Sequence, residues 1–242
     1  MKYEIFGGSF PAVTVTLNDG EQVFTQSGAL AWADEDVEMS TNMEGGFLKS
    51  VGRAFSGASL MFVTHTAKRD NSKVTFAASF PGTIKEFVID DNHQYYAQKS
   101  AFLLADPGVE VDATVNKNFW AGLLGGEGFI LQKFSGNGLL LAEIDGSICE
   151  IELKEGETLK IDTGHVAVFE STISYSVEAV KGVSNVLFGG EGLFLTTLTG
   201  PGKVWLQTLT ADEMARRLRP YVPSASSGTS SSNASVKNSS NK

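Results

Sequence analysis

An internal repeat constrains this chain more than any other feature of its sequence. The motif Leu-Gly-Gly-Glu-Gly at residues 124–128 returns as Phe-Gly-Gly-Glu-Gly at residues 188–192, 64 positions later. Each copy precedes an alternating apolar–polar run, a glycine-rich turn (residues 135–138 and 199–202) and a second alternating run. Alternation with a period of two on both sides of a glycine turn indicates two strands joined in a hairpin. The sequence therefore predicts the same β-hairpin twice, one repeat length apart.

Further landmarks extend the pattern to three copies. A weaker hairpin sequence covers residues 55–79, where a longer polar turn at residues 67–72 lengthens the spacing, and surface turns tolerate such insertions. Gly28, Ser100 and Gly164 align after alternating runs that end in acidic turns. Each copy holds five or six short strands and is too small to be stable alone. We predict one β domain over residues 1–209, with copies at about 1–83, 84–146 and 147–209.

A single short helix is predicted after the last strand. Thr210 followed by Glu213 forms a capping-box sequence, and the helical stretch that it opens stops before Pro220. We therefore predict a helix within residues 210–219. Residues 220–242 are rich in Ser and Asn and almost free of apolar side chains, so we expect a disordered tail.

The charge balance argues against polyanionic partners. The formal net charge is −9, which gives no general attraction for nucleic-acid phosphates or anionic lipid surfaces. Two local basic pairs, Lys49 with Arg53 and Lys68 with Arg69, are interpreted as solvated loop charges. We therefore do not expect nucleic acid among the partners.

The single cysteine and the N-terminus indicate a reducing compartment. Cys149 is the only cysteine, so no disulfide can form within the chain. It lies in an alternating run, and we expect a half-buried strand thiol rather than a nucleophile. The first residues contain no hydrophobic signal core, and no apolar run approaches membrane-spanning length. The sequence thus predicts a cytoplasmic protein without a transmembrane segment.

These motifs resemble those of one family, the altered-inheritance-of-mitochondria protein 24 family, a bacterial domain of unknown function. The resemblance covers about residues 5–209 and rests on residues 53–82, on residues 99–109 and on both Gly-Gly-Glu-Gly hairpins. It implies an all-β fold like that of the trp RNA-binding attenuation protein. Three tandem β-sandwich or double-stranded β-helix repeats would lie about a pseudo-threefold, followed by one short C-terminal helix. The resemblance implies no catalytic residues, and the Ser/Asn-rich tail lies outside the family pattern.

Three histidines, His65, His93 and His165, are the candidates for a metal site. A β barrel of the cupin type brings histidines and a carboxylate together from neighbouring strands. No His-x-His pair occurs, His93 lies in an acidic turn, and the other copies carry different residue types at the histidine positions. We assign the counterparts as Ala29 and Ala101 for His165, and approximately Lys133 and Thr197 for His65.

The remaining motifs also have structural explanations. The glycine loops at residues 125–128 and 200–203 connect strands, whereas a phosphate-binding loop joins a strand to a helix. Glu127 and Glu191 recur one repeat apart, too far to act as a catalytic pair. Residues 46–55 could form a short amphipathic turn that touches a membrane or a partner, and we interpret them as a loop. We predict no catalytic, cofactor-binding or metal-binding residue, and no cofactor.

A non-enzymatic scaffold or assembly protein is the function that this pattern favours. Tandem β units can share a core and cover each other's sheet edges, so we expect a homo-oligomer and an unidentified protein partner. The alternative is a binding module for RNA or a small ligand, by analogy with the attenuation protein. An enzyme with an unrecognised site is the third possibility.

Overall fold

The computed structural model describes residues 1–41, 62–114, 130–179 and 194–222. They form an all-β structure with one short helix near the C-terminal end. Both Gly-Gly-Glu-Gly motifs, their weaker first counterpart, Lys49, Arg53, Glu127 and Glu191 lie outside the described residues.

The strands fall into three segments of six after an initial strand β1. The bounds are β1 (Lys2–Phe6); in the first segment β2 (Ala12–Leu17), β3 (Gln22–Gln26), β4 (Leu30–Ala33), β5 (Val37–Ser40), β6 (Phe62–Ala67) and β7 (Ser72–Ala77); in the second β8 (Gly82–Ile89), β9 (Tyr95–Gln98), β10 (Phe102–Ala105), β11 (Val109–Thr114), β12 (Leu131–Gly136) and β13 (Gly138–Asp145); in the third β14 (Ile148–Leu153), β15 (Thr158–Asp162), β16 (Val166–Glu170), β17 (Ser174–Ala179), β18 (Phe194–Thr199) and β19 (Gly202–Gln207).

One pairing pattern recurs in all three segments. The first and third strands of a segment pair with its sixth, and the second and fourth strands pair with its fifth, always antiparallel. The third strand shifts register at the same point in each segment, between Leu30 and Trp32, between Phe102 and Leu104, and between Val166 and Val168. Residues at the same place in this pattern are called counterparts below.

Neighbouring segments are joined by backbone pairing between edge strands. β3 of the first segment pairs with β10 of the second, and β9 of the second pairs with β16 of the third. The result is four sheets with the orders β1-β2-β7-β4, β5-β6-β3-β10-β13-β8, β11-β12-β9-β16-β19-β14 and β15-β18-β17. Each six-stranded sheet therefore belongs to two segments.

The core consists of three apolar clusters, one for each segment. The first contains Val15, Val74 and Phe76 of the first segment, together with Leu103 and Leu104 of the second. The other two are also completed by side chains from an adjoining segment. Each half of a six-stranded sheet contacts the core of its own segment with one face and the core of the neighbouring segment with the other. The burial of its apolar side chains therefore depends on the junctions between segments as much as on the segment itself.

A side chain at the end of the third strand ties it to the start of the sixth. Asp34 accepts a hydrogen bond from the Lys73 backbone N–H at 2.8 Å. Its counterpart Asp106 accepts from the Leu139 N–H at 2.9 Å, and Glu170 accepts from the Lys203 N–H, also at 2.9 Å. An acidic acceptor at this position satisfies a backbone donor where the ladder begins.

The helix after the last strand is confirmed, and the expectation for the cysteine is wrong. α1 spans Ala211–Leu218, and its N-cap Thr210 accepts from the Glu213 backbone N–H at 3.1 Å. Cys149 is exposed, not half-buried. It lies on β14, the last strand of its sheet, so the alternation in the sequence did not identify which face another layer covers.

Replacing Asp106 by Ala should lower the free energy of unfolding by about 1–2 kcal/mol, because the Leu139 N–H then loses its acceptor. Asp106→Asn keeps an acceptor oxygen at the same distance from the backbone. It should lower the free energy of unfolding by less than half as much. Urea unfolding of both variants measures the difference. Equal stability of Asp106→Ala and the parent chain would show that this hydrogen bond contributes nothing.

Candidate functional site

His65 is a core residue of the first segment. Its side chain is 1 % exposed, and its ring lies edge-on to Phe76 with centroids 5.0 Å apart. Nε2 lies 3.2 Å from Thr25 Oγ1, while Nδ1 is buried and has no hydrogen-bond partner among the described residues. Burial lowers the pKa of the imidazole to about 4. The ring is therefore neutral near pH 7, and its surroundings are apolar.

The counterpart assigned to His65 from sequence is one residue out of register. Ala67 pairs with Val37, and Gly136 pairs with Val109, so His65 corresponds to Phe134 and not to Lys133. In the third segment the same register makes Leu198, not Thr197, its counterpart. The longer turn of the first copy hid this shift, and a one-residue slip moves a side chain to the other face of a sheet. His65 and both of its true counterparts are buried.

His93 and His165 make separate local contacts. His93 Nδ1 lies 2.9 Å from Asp90 Oδ1 in the turn after β8, and this hydrogen bond is the main reason that the pKa of Asp90 is lowered. His165 Nδ1 lies 2.7 Å from the backbone carbonyl oxygen of Gln207, so this nitrogen donates. Among the described residues, no three His, Cys, Asp or Glu side chains are grouped to hold a metal ion.

The basic pair Lys68–Arg69 is neutralised by neighbouring acids. Lys68 Nζ lies 2.9 Å from Glu38 Oε2, and Arg69 Nε lies 3.1 Å from Asp36 Oδ2. A hydrogen bond from the Ser72 hydroxyl lowers the pKa of the Asp36 carboxyl. This pair therefore forms no basic patch.

Two buried acids on β13, Glu143 and Asp145, were missed by the sequence analysis. Each is 7 % exposed. Glu143 accepts hydrogen bonds from the backbone N–H and the hydroxyl of Ser79, which follows the first segment. Burial, with the charge of Asp145 adding to it, raises the pKa of Glu143 to about 7. Burial likewise raises the pKa of Asp145 to about 6.

The counterpart of Glu143 performs the same task without a charge. Gln207 Oε1 accepts from the Asp145 backbone N–H at 3.2 Å, as Glu143 accepts from the Ser79 N–H. Gln207 Nε2 also donates to the carbonyl oxygen of Gly164 at 2.9 Å. At each junction, one acceptor side chain thus binds a backbone N–H at the point where the chain leaves the preceding segment. The signal in the sequence was a polar residue directly after the apolar run of the sixth strand, Glu143 after residues 139–142 and Gln207 after residues 204–206.

An exposed aromatic surface lies on the outermost four-stranded sheet. Trp32 of β4 is 59 % exposed, and its ring contacts that of Phe6 on β1 at a centroid distance of 6.4 Å. Phe10 nearby in the chain is 73 % exposed. We call Phe6 and Trp32 the aromatic patch. Exposed apolar groupings of this kind mark interaction surfaces more often than catalytic ones.

The fold and these surfaces define a class: an all-β protein whose tandem segments share sheets and whose polar groups hold segments together. The chain belongs to the family described as Mitochondrial biogenesis AIM24, which matches residues 3–209. The fold that the sequence resemblance implied is therefore confirmed at the level of family and of an all-β structure with one short helix.

Two similar proteins come from Streptococcus pyogenes. The uncharacterized protein M6_Spy0233 of serotype M6 is 29% identical over 224 residues, which is 90% of this chain and 89% of that protein. The crystal structure of protein SPYM3_0169 superposes with a TM-score of 0.74 at 28% identity, covering 91% of this chain and 99% of the other. In the ranges described here, no helix is long and apolar enough to cross a bilayer.

Glu143→Gln should abolish a pH dependence of stability. A carboxyl with an ordinary pKa of 4.5 and a folded pKa of about 7 stabilises the fold below pH 4.5 and loses this contribution as pH rises through 7. The loss amounts to roughly 3 kcal/mol at 1.36 kcal/mol per pKa unit. Since Gln207 shows that an amide fits the role, Glu143→Gln should match the parent at pH 4.5 and exceed it at about pH 8.

Urea titrations of both chains at the two pH values measure this difference. His65 changes stability in the opposite direction and remains in both chains, so its contribution cancels. Asp145 changes stability in the same direction, and because its charge helps to raise the Glu143 pKa, the measured difference also contains the interaction between the two carboxyls. A parallel pH dependence in variant and parent would contradict a buried Glu143 with a raised pKa.

His65→Leu should fold and change the free energy of unfolding by less than about 1.5 kcal/mol, because the counterpart Leu198 is a buried leucine. The parent His65 has a lowered pKa, so its contribution is full above pH 6.5 and is lost as pH falls towards 4. In the variant, the free energy of unfolding should lack this decline between pH 6.5 and pH 4. Metal analysis of both purified chains is the second measurement, and a metal present only in the parent would revive the metal site.

Proposed function

We propose that this chain is a non-enzymatic assembly protein that works in the cytoplasm. Its three segments are diverged copies of one six-stranded β unit, and it associates with further copies to present a surface to a protein partner. The recurring pairing pattern, the shared register shift and the three acidic counterparts Asp34, Asp106 and Glu170 support the repeat.

The observation that carries the proposal is the way in which segments join. β3 pairs with β10, and β9 pairs with β16, through the same strands of the pattern in the same orientation. The strands that would continue this series, β4 and β15, are each the last strand of a sheet. A chain that joins its segments edge to edge, and whose two remaining junction strands are sheet edges, has the form of an assembly module.

Other functions draw less support from the described residues. The three histidines make separate contacts in three places, and Lys68 and Arg69 are paired with acids. Neither arrangement favours catalysis or RNA binding. The aromatic patch favours a protein partner instead, because aromatic side chains are enriched in the buried centres of protein interfaces.

Light scattering of the full chain at micromolar concentration tests the proposal. We expect a mass that is a multiple of 25.8 kDa and that falls on dilution. A mass of 25.8 kDa at every concentration would refute self-association. A pull-down with the full chain, beside one that ends at Val222, would show whether a protein partner needs the Ser/Asn-rich tail.

A further inference from the structure

Among the described residues, two edge strands differ from all their counterparts in being paired on one side and not on the other. The counterparts of β4 are β10 and β16, and those of β15 are β3 and β9, and all four are paired with a strand on either side. Within the ranges that the structure describes, β4 pairs only with β7, and β15 only with β18. Each therefore presents a row of unpaired backbone N–H and C=O groups that an added strand could satisfy.

Side-chain burial shows what is missing beside β4. The pairing registers make Leu104 and Val168 the counterparts of Trp32. Leu104 and Val168 are both 0 % exposed, and each belongs to the core cluster of the preceding segment. Trp32 is 59 % exposed, although it stands at the same place in the pattern. A large apolar side chain is thus placed for insertion into a neighbouring core that the described part of this chain does not supply.

The two junctions within the chain specify one register for a third. Leu104 pairs with Thr25 across the first junction, and Val168 pairs with Ala97 across the second. Thr25, Ala97 and Ile161 pair with equivalent residues on the fifth strand of their own segments. Ile161 of β15 is therefore the counterpart of Thr25 and Ala97. The same register would set Trp32 opposite Ile161, and Ala33 opposite Lys160.

We propose that β4 of one molecule pairs with β15 of a second copy of this chain in that register, with Trp32 inserted into the third-segment core of the second copy. This inference rests on the proposed function and names the partner of its open edges. Because the two edges are complementary and not identical, the contact is head-to-tail, and each molecule keeps a free edge for the next.

The same comparison identifies what stabilises this contact. At the internal junctions, Glu143 and Gln207 each accept a backbone hydrogen bond, but their counterpart Ala77 has no acceptor side chain. The contact between molecules therefore depends on strand pairing and on Trp32. Lys160 of β15 is exposed, and Asp34 and Glu35, which follow β4, are exposed and of opposite charge. Opposite charges beside the pairing strands favour the β4–β15 combination over β4 with β4.

Disulfide trapping in a Cys149→Ser background tests the register. One preparation carries Ala33→Cys and another carries Lys160→Cys, and the two are mixed and oxidised. Directly opposed residues of an antiparallel pair lie close enough for a disulfide. We expect covalent dimers in the mixture and none in either preparation alone. Ala33→Cys with Leu159→Cys is the matched control, because one residue of slip points the second thiol to the opposite face.

Each other result overturns the inference in a distinct way. Dimers from Ala33→Cys alone would mean that β4 pairs with β4. An internal disulfide in the Ala33→Cys, Lys160→Cys double variant, without dimers in the mixture, would mean that the chain closes on itself. No disulfide in an oligomeric protein would reject this register but leave the proposed assembly function intact. A protein that light scattering shows to be monomeric would reject both.

Trp32→Ser provides a second measurement that does not depend on oxidation. We expect the concentration for half-assembly to rise at least about tenfold, since buried tryptophans dominate interface energies. The midpoint of thermal unfolding measured on the dissociated chain should stay unchanged, because Trp32 is exposed there. Met39→Ser is the control, since Met39 is also 59 % exposed and lies on β5, a different edge. Assembly of Trp32→Ser at the parent concentration would overturn the role of Trp32.

Discussion

Backbone pairing between segments is the interaction on which the rest of this structure depends. A six-stranded segment alone would have one side of its second and third strands unpaired, and part of its core open. The β3–β10 and β9–β16 pairings close both gaps at once, because each also moves apolar side chains of one segment into the cluster of the next. In the described ranges, strand pairing completes the middle segment on both sides and each outer segment on one side. Stability is thus distributed unevenly along the chain, as expected when units stack in a line.

Polar groups reinforce these junctions without performing chemistry. Glu143 and Gln207 each accept a hydrogen bond from a backbone N–H at the end of the preceding segment. The carboxyl version is strongly dependent on pH, since burial raises the pKa of Glu143 to about 7, whereas the amide version is not. A buried acceptor left without its donor would cost free energy, so both residues favour the observed order of segments over alternative pairings.

Much of the local structure follows from short-range sequence signals. Alternation with a period of two located strands, glycine and acidic turns separated them, and the Thr210 cap located the helix. The alignment of His65 with its counterparts and the exposure of Cys149 were predicted incorrectly from the sequence. Periodicity indicates that one face of a strand is buried. It does not show how that strand aligns with its counterpart in another copy when the two turns differ in length. In the first copy the longer turn shifted the assignment of His65 by one residue.

The sequence by itself determined the all-β class, the threefold recurrence of strand signals, the helix and the family resemblance, because all of these depend on neighbours within a few residues or on direct comparison of one stretch with another. Only the tertiary structure decided which strands are internal and which are edges, and therefore that Leu104 and Val168 are core residues while Trp32 is exposed. It also decided that Glu143 is buried beside Ser79. Pairing partners far apart in the chain set these environments, and no local pattern encodes which partner is present.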